Sequence, residues 1–405
     1  MNRREALAVL AALPFASRLL AQTRSSAQLR FAISVTHGLL LEPGGRLWAW
    51  GKDPGQSEGQ PAANALGLGH NNPVDPHTLY AIPGLATVVA VAAAPGKSYA
   101  VLTDGRVVAW GAGGSGELGI TPRAEYETQA QPRNRVNVPT PVSVPFEAVD
   151  VSSKSDHVLA LARDGSVWAW GRGDGGQLGI GPLPTVSFKT RSARVEPYVP
   201  YPVRIPDLVD VAAIGAGDAH SIALMKDGTV RTWGENKYGQ IGDGASANRD
   251  RPFTVPGVRN AVAIAAGDYR SVAVFADGGV MEWGANHVNL TPRRTPVLVV
   301  GARGIKSVVG GGDHVAALTQ SGEVMTWGQD AHYEIGRGGD PIAAGLVKGV
   351  VGATSIAAAH STTIVVTGSG RAFTWGDVRP WTRPGSAAPA NLSPSPLLLW
   401  LDGLD

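Results

Sequence analysis

Five histidines recur at a near-fixed place in this 405-residue chain. His37, His157, His220 and His314 stand 13 residues before Trp50, Trp170, Trp233 and Trp327, and His360 stands 15 before Trp375. Histidine is the commonest metal ligand, so a metal site is the first chemistry to test. The pattern speaks against one, because zinc needs three or four ligands within about 2.0–2.3 Å of a single point, and one histidine per repeat is spread around the fold. Lys97 and Arg270 hold the same place before Trp110 and Trp283, where they would repel a cation. The expectation is therefore structural histidines satisfied by hydrogen bonds, with an anion or water site at a channel mouth as the other reading, and no metal.

Two glycine patterns, Gly111-Ala-Gly-Gly-Ser-Gly116 and Gly171-Arg-Gly-Asp-Gly-Gly176, match the spacing of a dinucleotide fingerprint. Each follows a strand, but neither opens a helix whose N-terminus could hold a phosphate, so both are assigned to turns and no cofactor is expected. The chain has no cysteine, which removes disulfides, thiolate metal sites and cysteine nucleophiles. It also contains no His-Glu-x-x-His, and no catalytic residue is assigned. Acid pairs gathered from distant segments keep open an alternative, a hydrolase or lyase acting on cell-wall or extracellular carbohydrate.

The elements that carry these residues repeat. Trp-Gly pairs begin at Trp50, Trp110, Trp170, Trp233, Trp283, Trp327 and Trp375, at spacings of 60, 60, 63, 50, 44 and 48 residues. Before each lies a hairpin of two alternating strands, as in Gly217-Asp-Ala-His-Ser-Ile-Ala-Leu-Met-Lys-Asp-Gly-Thr-Val-Arg-Thr-Trp-Gly234. Asp-Gly fills the turn at 104–105, 164–165, 227–228 and 277–278, because glycine takes positive φ cheaply. In the last copy, Thr367-Gly-Ser-Gly370 is expected to make a turn two residues longer. Two further strand-like pieces precede each hairpin, such as Pro202–Ile205 and Val209–Ile214, giving four short antiparallel strands per unit. The fold expected is all-β, a seven-bladed β-propeller of four-stranded antiparallel blades.

A bulky residue at one place per blade can fill the wedge between neighbouring sheets, so the seven tryptophans are assigned to packing. Residues 395–404 look like an opening strand without its unit, and Phe31 to Gly51 like a unit without its opening strand. A blade shared between the N- and C-termini is expected to close the ring.

These residues resemble the regulator of chromosome condensation (RCC1) repeat: small-Gly-x-x-His-Ser-x-Ala-Leu, Asp-Gly-x-Val, Trp-Gly, then Gly-Gln-Leu-Gly. The last signature is clear at Gly116-Glu-Leu-Gly119, Gly176-Gln-Leu-Gly179 and Gly239-Gln-Ile-Gly242, and degraded after Trp283. The resemblance implies a propeller from about residue 29 to the end. The family includes guanine-nucleotide exchange factors, a role not expected here, and secreted bacterial propellers that inhibit β-lactamases, to which a bacterial exported member would be distantly similar.

Met1 to Glu5 carries Arg3 and Arg4 ahead of the apolar run Ala6–Ala16, which is the order of an export signal of twin-arginine type. Residues 1–21 are thus expected to be a cleavable signal and 22–28 a linker, with the propeller at 29–405 and a periplasmic or extracellular destination. Removing Arg3, Arg4, Arg18 and Glu5 takes the formal net charge from +2 to zero. Nucleic acid is therefore not an expected partner, nor is membrane insertion after signal removal, and the chain is expected to be a monomer.

Function should lie where the repeat is irregular. The segments after the first three tryptophans, 52–80, 112–140 and 172–202, are the longest and fall on consecutive blades, so they should emerge together. They carry Tyr126, Arg133, Phe188, Arg191, Tyr198 and Tyr201, and aromatics mixed with arginine are the composition of interaction hot spots. The function expected is a non-enzymatic, exported protein-binding propeller that engages a partner through this face, with enzyme inhibition as one version.

Overall fold

The computed structural model describes residues 29–53, 63–70, 72–85, 87–121, 135–183, 197–285, 291–378 and 392–398. These form 28 strands in seven four-stranded antiparallel sheets, and none is helical. Each sheet is a blade of four consecutive strands. In blade 4, Val211–Ala216, His220–Met225, Val230–Gly234 and Arg249–Thr254 pair in that order.

The first strands are Arg30–Ile33, Val88–Ala94, Ala148–Ser153, Val211–Ala216, Ala261–Ala266, Ile305–Gly310 and Ala353–Ala359. They ring a central channel. Antiparallel order fixes the two ends of the ring. The turns between first and second strands, and the segments between third and fourth, emerge on one face, called here the long-segment face. The hairpins and the links between blades emerge on the opposite, short-turn face.

Ring closure differs from the shared blade expected from the sequence. Piece 202–205 does not open the blade that follows; Trp168 pairs with Arg204 and Ala169 with Val203, so it ends blade 3. By the same rule Leu392–Leu398 pairs with Ala372–Asp377 and completes blade 7. Tyr80–Ala81 already holds the outer edge of blade 1, which leaves no place there for a C-terminal strand. Side-chain packing closes the ring instead: Ile33, Leu40 and Trp50 of blade 1 share an apolar cluster with Ala357, Ile364 and Val366 of blade 7.

The hairpins show what the Asp-Gly pair contributes. The Gly228 N–H donates to the Met225 carbonyl at 3.0 Å, and Met225 N–H to the Thr229 carbonyl at 2.9 Å, a three-residue turn in which only glycine has positive φ, at 80°. Asp227 caps the turn by accepting the Thr229 N–H and hydroxyl at 2.9 and 2.7 Å. The last copy is not longer: Gly370 N–H meets the Thr367 carbonyl at 3.0 Å and Thr367 N–H the Arg371 carbonyl at 2.9 Å.

Each of the seven apolar clusters lies between two blades and holds one repeat tryptophan, at 0% exposure. At Trp110, Trp170, Trp233, Trp283 and Trp375 a loop from the preceding blade lies against the indole. The last glycine of Gly-Gln-Leu-Gly has positive φ, 69° at Gly179, and a Cβ there would lie 2.7 Å from Nε1 of Trp233. Gly179→Val combines a left-handed backbone with a clash against a filled core, and should cost about 3 kcal/mol in urea unfolding. Gly244→Ala, also at positive φ but with open space around it, should cost about 1 kcal/mol.

Candidate functional site at the long-segment mouth of the channel

The repeated histidines sit at blade junctions. Nε2 of His37, His157, His220 and His314 lies 2.8–3.1 Å from the hydroxyl of Ser98, Ser221, Ser271 and Thr363, each in the second strand of the next blade. Ser221 in turn donates to the Gln177 carbonyl at 2.9 Å, and the same carbonyl accepts Nε1 of Trp233 at 2.8 Å. One buried relay thus ties loop, hydroxyl and tryptophan across the junction. Burial lowers the histidine pKa values to about 4 at His37 and His157 and about 3 at His220 and His314.

His360 is not part of this set. The residue opposite Gly376 is Thr362, 13 before Trp375, while His360 occupies the exposed turn before it with φ 44°. The sequence alignment placed it in the slot only by assuming a longer hairpin. Where the slot holds a cation, the next blade offers valine instead of a hydroxyl. Lys97 faces Val158 and ion-pairs with Glu117 and Asp156 at 2.9 and 2.8 Å. Arg270 faces Val315 and lies 3.7 Å from Glu282, whose other oxygen binds Arg293.

Asp156 leads from this network to the mouth. The turns between first and second strands carry Asp156, Asp218, Asp268 and Asp313 on blades 3, 4, 5 and 6, one carboxylate each. Asp218 and Asp268 line a cavity of about 420 Å³ to which all seven blades contribute, and Asp156 and Asp313 lie close enough to them to interact electrostatically. Burial raises the pKa of Asp218, and neighbouring Asp268 and Asp156 raise it further. Burial also raises Asp313 and Glu235, the latter with help from Asp218. For Asp156 burial works upward, but Lys97 outweighs it and holds the carboxyl below its usual range.

One cation crosses the mouth. Lys154 of blade 3 donates to the Gly310 carbonyl of blade 6 at 3.0 Å and lies 3.5 Å from Asp268 of blade 5. Beside the acids stand Tyr238 and Tyr269, their rings 5.0 Å apart, and burial with Asp218 and Asp268 pushes the Tyr269 hydroxyl up to about 12. Among the described residues no three of His, Asp and Glu are grouped to hold a metal ion. The arrangement is a rim of negative charge with an aromatic shoulder, suited to attract and orient a cationic group.

Of the residues singled out from the sequence, Tyr126, Arg133, Phe188 and Arg191 lie outside the described residues. Tyr198 and Tyr201 are half-buried on the outer strand of blade 3. Tyr201 packs into the cluster between blades 3 and 4, whereas Tyr198 lies near Glu117 on the loop of blade 2, and burial raises its pKa. The carboxylate rim was missed. Its signal was present, an aspartate one or two places before the slot in four consecutive copies, at Asp156, Asp218, Asp268 and Asp313.

Comparisons with known proteins place this geometry. A family model described as RCC1-like domain matches residues 12–291, and one for the regulator of chromosome condensation (RCC1) repeat matches 305–334. The chain is 34% identical over 162 residues to the probable E3 ubiquitin-protein ligase HERC6 of Homo sapiens, covering 40% of this chain and 14% of that protein. It is 30% identical over 220 residues to protein pim1 of Schizosaccharomyces pombe, covering 53% of this chain and 38% of the relative. It therefore spans less than half the length of either.

Among solved structures, yeast RCC1 (Prp20) bound to Kap60 superposes with TM-score 0.69 at 18% identity, over 93% of this chain and 86% of that one. Human WBSCR16 gives 0.68 at 20% identity, over 84% and 93%. At these identities the likeness shows the fold. With a family model matching well over half of its length, and the repeat residues placed at equivalent positions in all seven blades, the chain belongs to the RCC1-like domain family.

Proposed function

We propose that this chain is a non-enzymatic protein-binding propeller whose partner sits on the long-segment face, with basic groups of the partner directed at the carboxylate rim. The observation that carries this reading is the placement of Asp156, Asp218, Asp268 and Asp313 in the turns of four successive blades, on the face from which the long segments emerge, with Asp218 and Asp268 lining the cavity there. Rims of one sign steer and orient partners of the other. Two yeast structures support the general role: one is of Prp20 bound to Kap60, and the other is of Prp20p with its binding to Gsp1p and histones.

The carboxylates are poorly arranged for glycoside hydrolysis. Asp156 is held by Lys97 at 2.8 Å, and Asp268 is 3.5 Å from Lys154, so two of the four have a protein cation beside them. Export through the signal at residues 1–21 is part of the proposal, and inhibition of an exported enzyme is its specific form.

The test is affinity capture by the mature chain from its own envelope extract, comparing wild type with Asp218→Lys/Asp268→Lys and with a variant carrying Ala at Phe188, Arg191, Tyr198 and Tyr201. A partner lost in the double reversal, and released at high salt, supports the reading. Equal capture by wild type and the double reversal sinks it. The alanine variant reports separately whether the long segment of blade 3 shares the contact.

A further inference from the structure

The channel has a second chamber at its other end, which the partner reading does not use. A cavity of about 720 Å³ opens on the short-turn face, lined by first strands of six blades. It meets the smaller chamber at Ile264 and Val308, which line both. Small side chains help keep it open: Ala213 and Ala263 stand half-buried on the first strands of blades 4 and 5, where larger side chains would fill the bore. A chamber of this volume with mainly apolar walls is of the kind that holds small ligands.

The charges at its rim select the ligand's head. Asp150 accepts the Val151 N–H at 2.9 Å, and Asp227 is occupied in capping Thr229. Lys226 lies 3.4 Å from Asp210, and Arg30 donates to the Val89 carbonyl at 3.3 Å. Lys306 is exposed, lines the chamber, and makes no hydrogen bond or ion pair among the described residues. Both carboxylates are held in hydrogen bonds, whereas the Lys306 ammonium has no acid beside it among the described residues, so the group complementary to Lys306 is an anion.

We propose that this chamber is a binding site for a small amphipathic anion, its apolar body against Ala213, Ala263, Ile264 and Val308 and its anionic group at Lys306. The site is independent of the partner face, because the two chambers open on opposite ends of the ring.

Isothermal titration of the mature chain with 8-anilinonaphthalene-1-sulfonate and with decanoate tests this. Saturable binding at one site per chain is expected for at least one probe. Ala213→Trp and Ala263→Trp should each abolish it, Lys306→Glu should weaken it about tenfold or more, and Lys306→Arg should retain it. Leu298→Asp, in an exposed apolar patch on the outer edge of blade 5, should leave it unchanged. Near-ultraviolet dichroism of the buried tryptophans checks that each variant is folded. Binding that survives both tryptophan variants in folded protein, binding lost in Leu298→Asp, or no saturable binding by wild type at millimolar probe would each overturn the assignment.

Discussion

Lys97→Met is expected to lower stability by about 3–5 kcal/mol, because it strands a buried carboxylate without its cation. Glu117 is 2% exposed on its side chain and lies 2.9 Å from Lys97. Burial opposes the charge on Lys97, yet Glu117 and Asp156 outweigh it and raise the lysine pKa above its usual value. The ammonium is thus the group that makes both carboxylates tolerable there. Chemical unfolding near neutral pH measures the loss.

The same junction predicts its own repair. Tyr99 donates its hydroxyl to the Glu117 carbonyl at 2.9 Å, taking the place that a serine hydroxyl holds at the junction of blades 3 and 4. Converting the junction as a unit, by Lys97→His, Tyr99→Leu, Glu117→Gln and Val158→Ser, rebuilds the histidine relay and should recover most of the stability lost in Lys97→Met. A fourfold variant no more stable than the single one would show that the relay is not a transferable unit. The glutamine side chain keeps the loop cap, since the Gln177 side-chain oxygen accepts the Gly175 N–H at 2.8 Å as Glu117 accepts that of Ser115 at 2.7 Å.

The second large effect is acid unfolding. His37, His157, His220 and His314 are buried neutral, with pKa values lowered from 6.5 to about 4, 4, 3 and 3. In the unfolded chain they titrate near 6.5, so the unfolded state binds more protons as pH falls. Their contribution is fully present above about pH 6.5 and drains away down to about pH 3–4. Each costs about 2 kcal/mol at pH 5, and four together approach the whole stability of an ordinary domain.

Asp218 and Asp313, whose pKa values are raised by burial, act in the opposite direction. Between about pH 6.5 and pH 5 the four histidines contribute a slope approaching four protons. His220→Gln should reduce that slope by one while costing stability at neutral pH. A slope unchanged in this variant would mean that another group titrates in the window.

The amino-acid sequence determined the repeat, and with it the number of blades. Trp-Gly, the Asp-Gly turns and the strand alternation are local signals, because turn chemistry and side-chain period act over a few residues. It also indicated that one histidine per blade is a poor metal site. What it could not determine was pairing across a gap. Piece 202–205 alternates equally well as the end of one blade or the start of the next, and only its pairing with Trp168 and Ala169 decides.

His360 was misplaced for a related reason: His-Ser matched the repeat pattern, but the strand ladder set Thr362 opposite Gly376. The carboxylate rim is marked in the sequence only by the aspartate that recurs before the slot, and its grouping is not. Asp156, Asp218, Asp268 and Asp313 are lone acids 45 to 62 residues apart along the chain, and only the closure of seven sheets into a ring brings them together at one end of the channel, with Asp218 and Asp268 lining the cavity. Local sequence thus specified each blade, while the ring, formed by packing between blades, created both chambers of the channel and the charge at their rims.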